Sequence, residues 1–150
     1  MWNIRPAEEL DLHAVLDLWQ AVGMGGIELD EWNAIVGGGC TTLFVAEEGG
    51  ALVGTGVAAF DGWRAYVYHV AVAPEVQGRG LGRALMAEAE RHLSRRGARR
   101  IYALVNESNT TGIALCASSG YEPEGDVAFV KEVSPPASLA ATEAIRVAYR

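Results

Sequence analysis

The stretch VAPEVQGRGLGRAL, Val72–Leu85, alternates Gly78, Gly80 and Gly82 with Arg79 and Leu81 between an apolar run and a helical repeat. It commits the middle of the chain to a strand–turn–helix unit. Glycine admits positive φ and lets another molecule approach the backbone closely. A helix start offers N–H groups without intrahelical partners and a partial positive charge. Together these make an anion site whose ordinary occupant is a phosphate. Three glycines in five residues exceed what a tight turn requires. The dinucleotide fingerprint G-x-G-x-x-G does not fit, because neither Arg83 nor Leu85 supplies the third glycine. The Walker pattern fails too, since no Lys-Ser or Lys-Thr follows. What fits is Gln77-x-x-Gly80-x-Gly82 after a strand ending in VAVAP.

The rest of the chain supplies a frame for that unit. NIRPA, Asn3–Ala7, reads as a first strand. Asp11 reads as a helix N-cap, with Leu10 and Val15 as a hydrophobic staple. Val15, Leu18, Trp19 and Val22 recur at helical spacing up to Gly23, and a short helix is expected at Asp30–Val36. Three strand-like runs follow, TTLFVAEE, ALVGTGVAAFD and RAYVYHVAVAP, the first two joined by the hairpin pair Gly49-Gly50 and the third closed by Pro74. A helix over Gly80–Arg96 carries the stripe Leu81, Leu85, Ala89 and Leu93, with Gly97 as its C-cap. RRIYALVN reads as a buried strand, and SNTTGIALCASSG as a helix capped by Ser108 or Asn109 and stopped by Gly120. YEPEGDVAFVKEV reads as a last strand or hairpin. After Pro135-Pro136, ASLAATEAIRVAYR reads as a short docked helix or a loose tail. The expected organisation is one domain over residues 1–134 and a tail over 135–150. Three antiparallel strands feeding a βαβ unit imply a mixed sheet with helices on both faces.

Composition narrows the partners. A chain of 150 residues can bury a core of its own, and no apolar run reaches the roughly 20 residues of a membrane span. The start MWNIRPAEEL lacks the regions of a signal peptide, so a cytoplasmic protein is expected. A net charge of −7 argues against a nucleic-acid surface. The one basic cluster, SRRGARR, falls at a helix end, where it complements the dipole or is simply solvated. Cys40 and Cys116 lie far apart, and His13, His69 and His92 are scattered, so neither a disulfide framework nor a metal site is expected.

HVAVAPEVQGRGLGRALMAEAE resembles the acetyl-CoA signature of the GNAT superfamily of N-acetyltransferases. NESNTTGIALCASSGYEP is similar to that family's later segment, in which an Asn opens a helix ending in Gly-Tyr or Gly-Phe, and NIRPAEELDLHAVLDLW is similar to its start. GTGVAAFDGWRAYVYHVAV is similar to the small bacterial YpeA-like branch, with ribosomal-protein alanine acetyltransferases as more distant relatives. The resemblance covers about residues 2–133. It implies an α/β fold of three layers, α-β-α. The central sheet would be mixed and mostly antiparallel, with six to seven strands, splayed at the fourth and fifth. It also implies acetyl-CoA as cosubstrate, with no metal. Gly78, Arg79, Gly80, Leu81, Gly82 and Arg83, introduced by Gln77, would hold the pyrophosphate by backbone N–H groups. Val70, Ala71 and Val72 would bond the pantetheine arm as if it were another strand. A bulge or splay beside Val72 would aim a backbone N–H at the thioester oxygen. Asn109 would contact the pantetheine side, act as a plain N-cap, or do both.

The implied reaction is direct attack of an amine on the acetyl thioester, and the amine must first lose a proton. Many relatives carry a Glu on the fifth strand and a Tyr in the later helix; the matching positions here are Leu104 and Cys116. His69, Glu107 and Cys116 are the substitutes offered as catalytic groups, with Tyr68 and Tyr121 as further proton donors. Each has a bland alternative as core or solvated residue. The acceptor, a small-molecule or peptide amine, is expected beside an acidic loop with Glu28, Asp30, Glu31 and Trp32. The rival reading is a non-catalytic domain that binds acyl-CoA as a sensor. A homodimer is left open, and no membrane or nucleic-acid partner is expected.

Overall fold

The computed structural model describes residues 1–137, built on a five-stranded sheet. The strands are β1 (Asn3–Pro6), β2 (Thr41–Glu48), β3 (Ala51–Phe60), β4 (Ala65–Val72) and β5 (Ile101–Ala103), in that spatial order. Neighbours are antiparallel from β1 to β4, whereas β4 and β5 run parallel. The helices are α1 (Leu12–Ala21), α2 (Leu29–Gly37), α3 (Leu81–Arg95) and α4 (Thr110–Ser118). Gly49 and Gly50, at φ +60° and +82°, make the two-residue left-handed turn that the β2–β3 hairpin requires.

Two neighbours on β3 define the layers. A Cβ on Gly54 would stand 2.9 Å from Leu85 and 3.0 Å from Leu81, so this glycine lets α3 press onto the sheet. The adjacent Thr55 bonds Trp19 of α1. Successive strand residues point to opposite faces, so α1 and α3 cover opposite sides. Both sides are therefore dry, which is why β2 and β3 are continuously apolar rather than alternating. Val15, Val45, Val57, Val67, Leu85 and Leu93 are almost wholly excluded from water. Each such aliphatic side chain contributes about 1.5–3 kcal/mol.

The sheet differs from the expected one in its last strands. It has five strands among the described residues, not six to seven. β5 is only three residues long, and the YEPEGDVAFVKEV segment joins no ladder. Pro123 and Gly125 interrupt that segment, and so short a neighbour gives it little ladder to extend. The helix of the expected tail lies outside the described residues, apart from Ala137. The first cap also differs. Asp11 accepts from the Glu8 backbone N–H at 2.7 Å and from the Arg5 guanidinium, so it fastens the turn before α1 instead of capping α1. Leu10 is 94% exposed and makes no staple.

Candidate functional site

The parallel ladder is brief. Ala65, Tyr66 and Val67 pair with Ile101, Tyr102 and Ala103, and Leu104 N–H donates to the Val67 carbonyl at 3.0 Å. From Tyr68 to Val72 that edge of β4 pairs with no strand among the described residues. The two strands thus part as the resemblance implies. On its other edge β4 carries a bulge. Thr55 faces Ala71 and Val57 faces Tyr68, so Gly56 alone faces both His69 and Val70. His69 takes φ +48°, rare for a residue with a side chain. A bulge or splay is expected beside Val72: the parting of β4 and β5 reaches Val72, and the bulge lies at His69–Val70, where the Thr55 hydroxyl donates to the His69 carbonyl at 3.1 Å. Ala73 N–H donates to Val53 at 2.9 Å, so ladder alternation turns the main-chain groups of Val70 and Val72 outward, with Ala71 facing β3. The Val72 carbonyl already accepts from Gln77 Nε2 at 3.0 Å, which ties the glycine loop to the strand.

The loop ends in a helix start that no side chain caps. Gly78 and Gly80 stand at φ +81° and +92°, and a Cβ on either would meet nothing within 4 Å. Space therefore lies open in front of the first N–H groups of α3. Gly82 has a packing role as well: its Cβ would stand 3.1 Å from Leu115 and 3.7 Å from Val72, so its bare Cα admits α4. Leu81 sends its side chain into the core. Arg79 is held bidentate by Glu48 at 3.0 and 2.8 Å, and Arg83 donates to the Ser118 carbonyl at 3.3 Å. Asn109 is a true N-cap of α4, accepting from Gly112 N–H at 2.9 Å. The open strand edge and the uncapped helix start have the shapes a strand-like arm and a pyrophosphate need, so these residues fit acetyl-CoA.

The proposed catalytic side chains are not assembled into one relay. No hydrogen bond among the described residues joins His69, Cys116 and Glu107. The His69 ring packs edge-on against Trp19, with centroids 4.7 Å apart, and its Nε2 lies 3.2 Å from the Gly25 carbonyl. Cys116 is partly buried, which pushes its thiol up from the ordinary value. Glu107 is exposed on the turn before α4. Tyr121 donates to Glu90 Oε2 at 2.7 Å, and burial with that bond raises its hydroxyl well above the usual range. Burial also raises Tyr68. In the acidic loop, Glu31 accepts from the Glu28 backbone N–H at 2.8 Å and so caps α2. Trp32 is 1% exposed, a core residue and not an acceptor-facing aromatic. No cluster of metal-ligating side chains occurs among the described residues, and no described helix is long and apolar enough to cross a membrane. A groove of about 710 Å³ beside Glu90, Arg91 and Tyr121 includes no residue of the β4 edge or glycine loop.

Sequence reasoning missed one part, the Trp19–Thr55–His69 chain of contacts. Its trace was Thr55 itself, a polar residue between two glycines in an apolar strand, which once buried must find partners.

A fold of this kind, with a split sheet edge beside an uncapped helix start, defines a class. The acetyltransferase (GNAT) family profile matches residues 9–121, and the chain belongs to that family. It is 30% identical over 127 residues to acetyltransferase ECA0875 of Pectobacterium atrosepticum, covering 80% of this chain and 87% of the relative. It is 41% identical over 80 residues to acetyltransferase plu1384 of Photorhabdus laumondii, covering 53% of this chain and 56% of the relative, little more than half its length. Among solved structures, the aminoglycoside acetyltransferase AAC(6')-Iy in complex with a bisubstrate analog, CoA-S-monomethyl-acetylneamine, superposes with a TM-score of 0.75 at 19% identity. That superposition covers 89% of this chain and 99% of the other.

Proposed function

We propose that this chain transfers an acetyl group from acetyl-CoA to a primary amine by direct attack. The observation that carries the reading is the open β4 edge, with its bulge at His69–Val70, leading straight into the uncapped start of α3. Acetyl-CoA supplies the activated acetyl thioester. The N–H groups at Gly80–Arg83 hold its pyrophosphate, and Val70 and Val72 hold the pantetheine arm as an added strand. The Val70 N–H, turned outward by the bulge, stabilises the negative charge that develops on the thioester oxygen. The acceptor enters from the side of the acidic loop that ends in Glu28, Asp30 and Glu31. These carboxylates, on a chain of net charge −7, favour a cationic small molecule or a peptide N-terminus. AAC(6')-Iy, captured with an analog built on acetylneamine, is one protein of this fold whose acceptor side takes such an amine.

The amine's proton leaves to water. His69 Nε2 is engaged by Gly25, and Leu104 stands half-exposed where a carboxylate would otherwise be. That same Leu104, with Cys116 at the tyrosine position, favours a second reading, a domain that binds acyl-CoA without turnover. One assay separates the two. Calorimetry measures acetyl-CoA binding, and thiol release is followed with spermidine, neamine and a peptide N-terminus. Binding with release supports the transferase, binding without release from any amine supports the sensor, and tight NAD binding without a response to acetyl-CoA sinks both.

A further inference from the structure

We propose that His69 is a positioning residue, which latches the loop over residues 22–28 to the β4 bulge through an Nε2-protonated ring and so sets the acceptor's path to the thioester. The inference rests on the transferase reading and gives a role to a residue that reading leaves unused.

Three elements converge on His69. From α1, the Trp19 ring packs edge-on against the imidazole at 69°. From β3, Thr55 accepts from Trp19 Nε1 at 2.9 Å, and its own hydroxyl donates to the His69 carbonyl at 3.1 Å. From the loop, the Gly25 carbonyl lies 3.2 Å from His69 Nε2. A carbonyl only accepts, so Nε2 carries the hydrogen and Nδ1 is left as the acceptor of the neutral ring. Hence Nε2 cannot take a proton from an amine while the latch is closed. The φ of +48° is what aims the ring sideways onto the loop, and such strain persists where surrounding contacts over-determine it. The loop has a second anchor, since Met24 N–H donates to the Trp19 carbonyl at 2.8 Å. With both ends of this clasp on Trp19 and His69, the acidic start of α2 is kept at a fixed distance from the open strand edge.

The test compares His69→Gln, whose amide can still donate to Gly25, with His69→Ala, which cannot. Ring ¹⁵N NMR of the wild-type chain should show a hydrogen on Nε2. A ring protonated on Nδ1 alone overturns the proposal. Backbone NMR of residues 24–28 should shift and broaden in His69→Ala and recover in His69→Gln, while the Kd for acetyl-CoA stays within about twofold of wild type. An unperturbed loop in His69→Ala also overturns it. With whichever of spermidine, neamine or the peptide the wild type acetylates, His69→Ala should raise the amine KM by about tenfold with kcat within about threefold, and His69→Gln should restore most of it. A fall in kcat of about a hundredfold in both variants at unchanged KM would instead make His69 the base. If the wild type does not bind acetyl-CoA, the transferase reading fails, and the two NMR measurements still judge the latch.

Discussion

Thr55→Val removes the one polar side chain among the described residues that is both wholly buried and shared between the helix and the bulge. Thr55 has no exposed surface, and its hydroxyl serves Trp19 and the His69 carbonyl at once. Valine keeps the volume and deletes the bonds. The Trp19 indole N–H, on a residue 2% exposed, is then left without a partner, which costs about 1–3 kcal/mol. The His69 carbonyl belongs to a partly exposed residue and can recruit water, so its loss adds about 1 kcal/mol or less. The total is roughly 2–3 kcal/mol, or a melting temperature lower by about 5–10 °C for a chain of this size. Thr55→Ser is the control: it keeps the hydroxyl and loses one buried methyl, about 0.8 kcal/mol. Urea unfolding followed by tryptophan fluorescence gives both numbers, provided the slope is unchanged. The reasoning fails if Thr55→Val is as stable as wild type, or if the serine variant costs as much as the valine one.

Four other outcomes are expected. Gly80→Ala should cost about 1–2 kcal/mol, because φ there is +92°, and should weaken acetyl-CoA binding by calorimetry, whereas Gly82→Ala should disturb mainly the α3–α4 contact. Cys116→Ala should keep acetyl-CoA binding and lose less than about tenfold in turnover, about 1.4 kcal/mol of barrier. Arg5 hydrogen-bonds the Asp11 carboxylate and holds it below the ordinary value, so its stabilisation is present above the unfolded pKa and fades as pH falls through the folded one. Asp11→Asn should therefore destabilise at pH about 6 and match wild type once pH drops well below about 3.9, as read by urea midpoints across that range. A chain ended after Ser134 should bind acetyl-CoA as the full chain does by calorimetry, since the matched family region closes at residue 121.

What the sequence conveyed follows a physical divide. The glycine-led start of α3, the Gly49-Gly50 turn and the stripe from Leu81 to Leu93 were legible because each rests on local backbone preference or on spacing along one element. The strand after α4 was misread, because alternation in YEPEGDVAFVKEV says nothing about whether a neighbour exists to pair with. Trp32 looked like a lip residue because it sits among acids, yet its ring is turned into the core. Of the bulge or splay expected beside Val72, the splay reaches that residue, while the bulge lies at His69–Val70, bonded by Thr55 on a different strand. The side-chain partners of Arg79 and Gln77, Glu48 and the Val72 carbonyl, were not legible, because they lie on other elements or depend on how the loop folds back.

The groups that face the open edge and the helix start are peptide amides, which every residue but proline carries. Mutational scanning by alanine across Val70–Val72 would therefore leave the donors untouched and return a silent map. Side chains there are free to drift as long as the bend and the helix start survive. The chemistry would be exposed by editing the main chain: an ester in place of the amide preceding Val70 deletes that N–H, at the added cost of a weaker His69 carbonyl for Thr55 to bond. Side chains along such a segment can change widely while the amide positions stay where the bend and the helix start put them, and the fold superposes on one that shares only 19% identity.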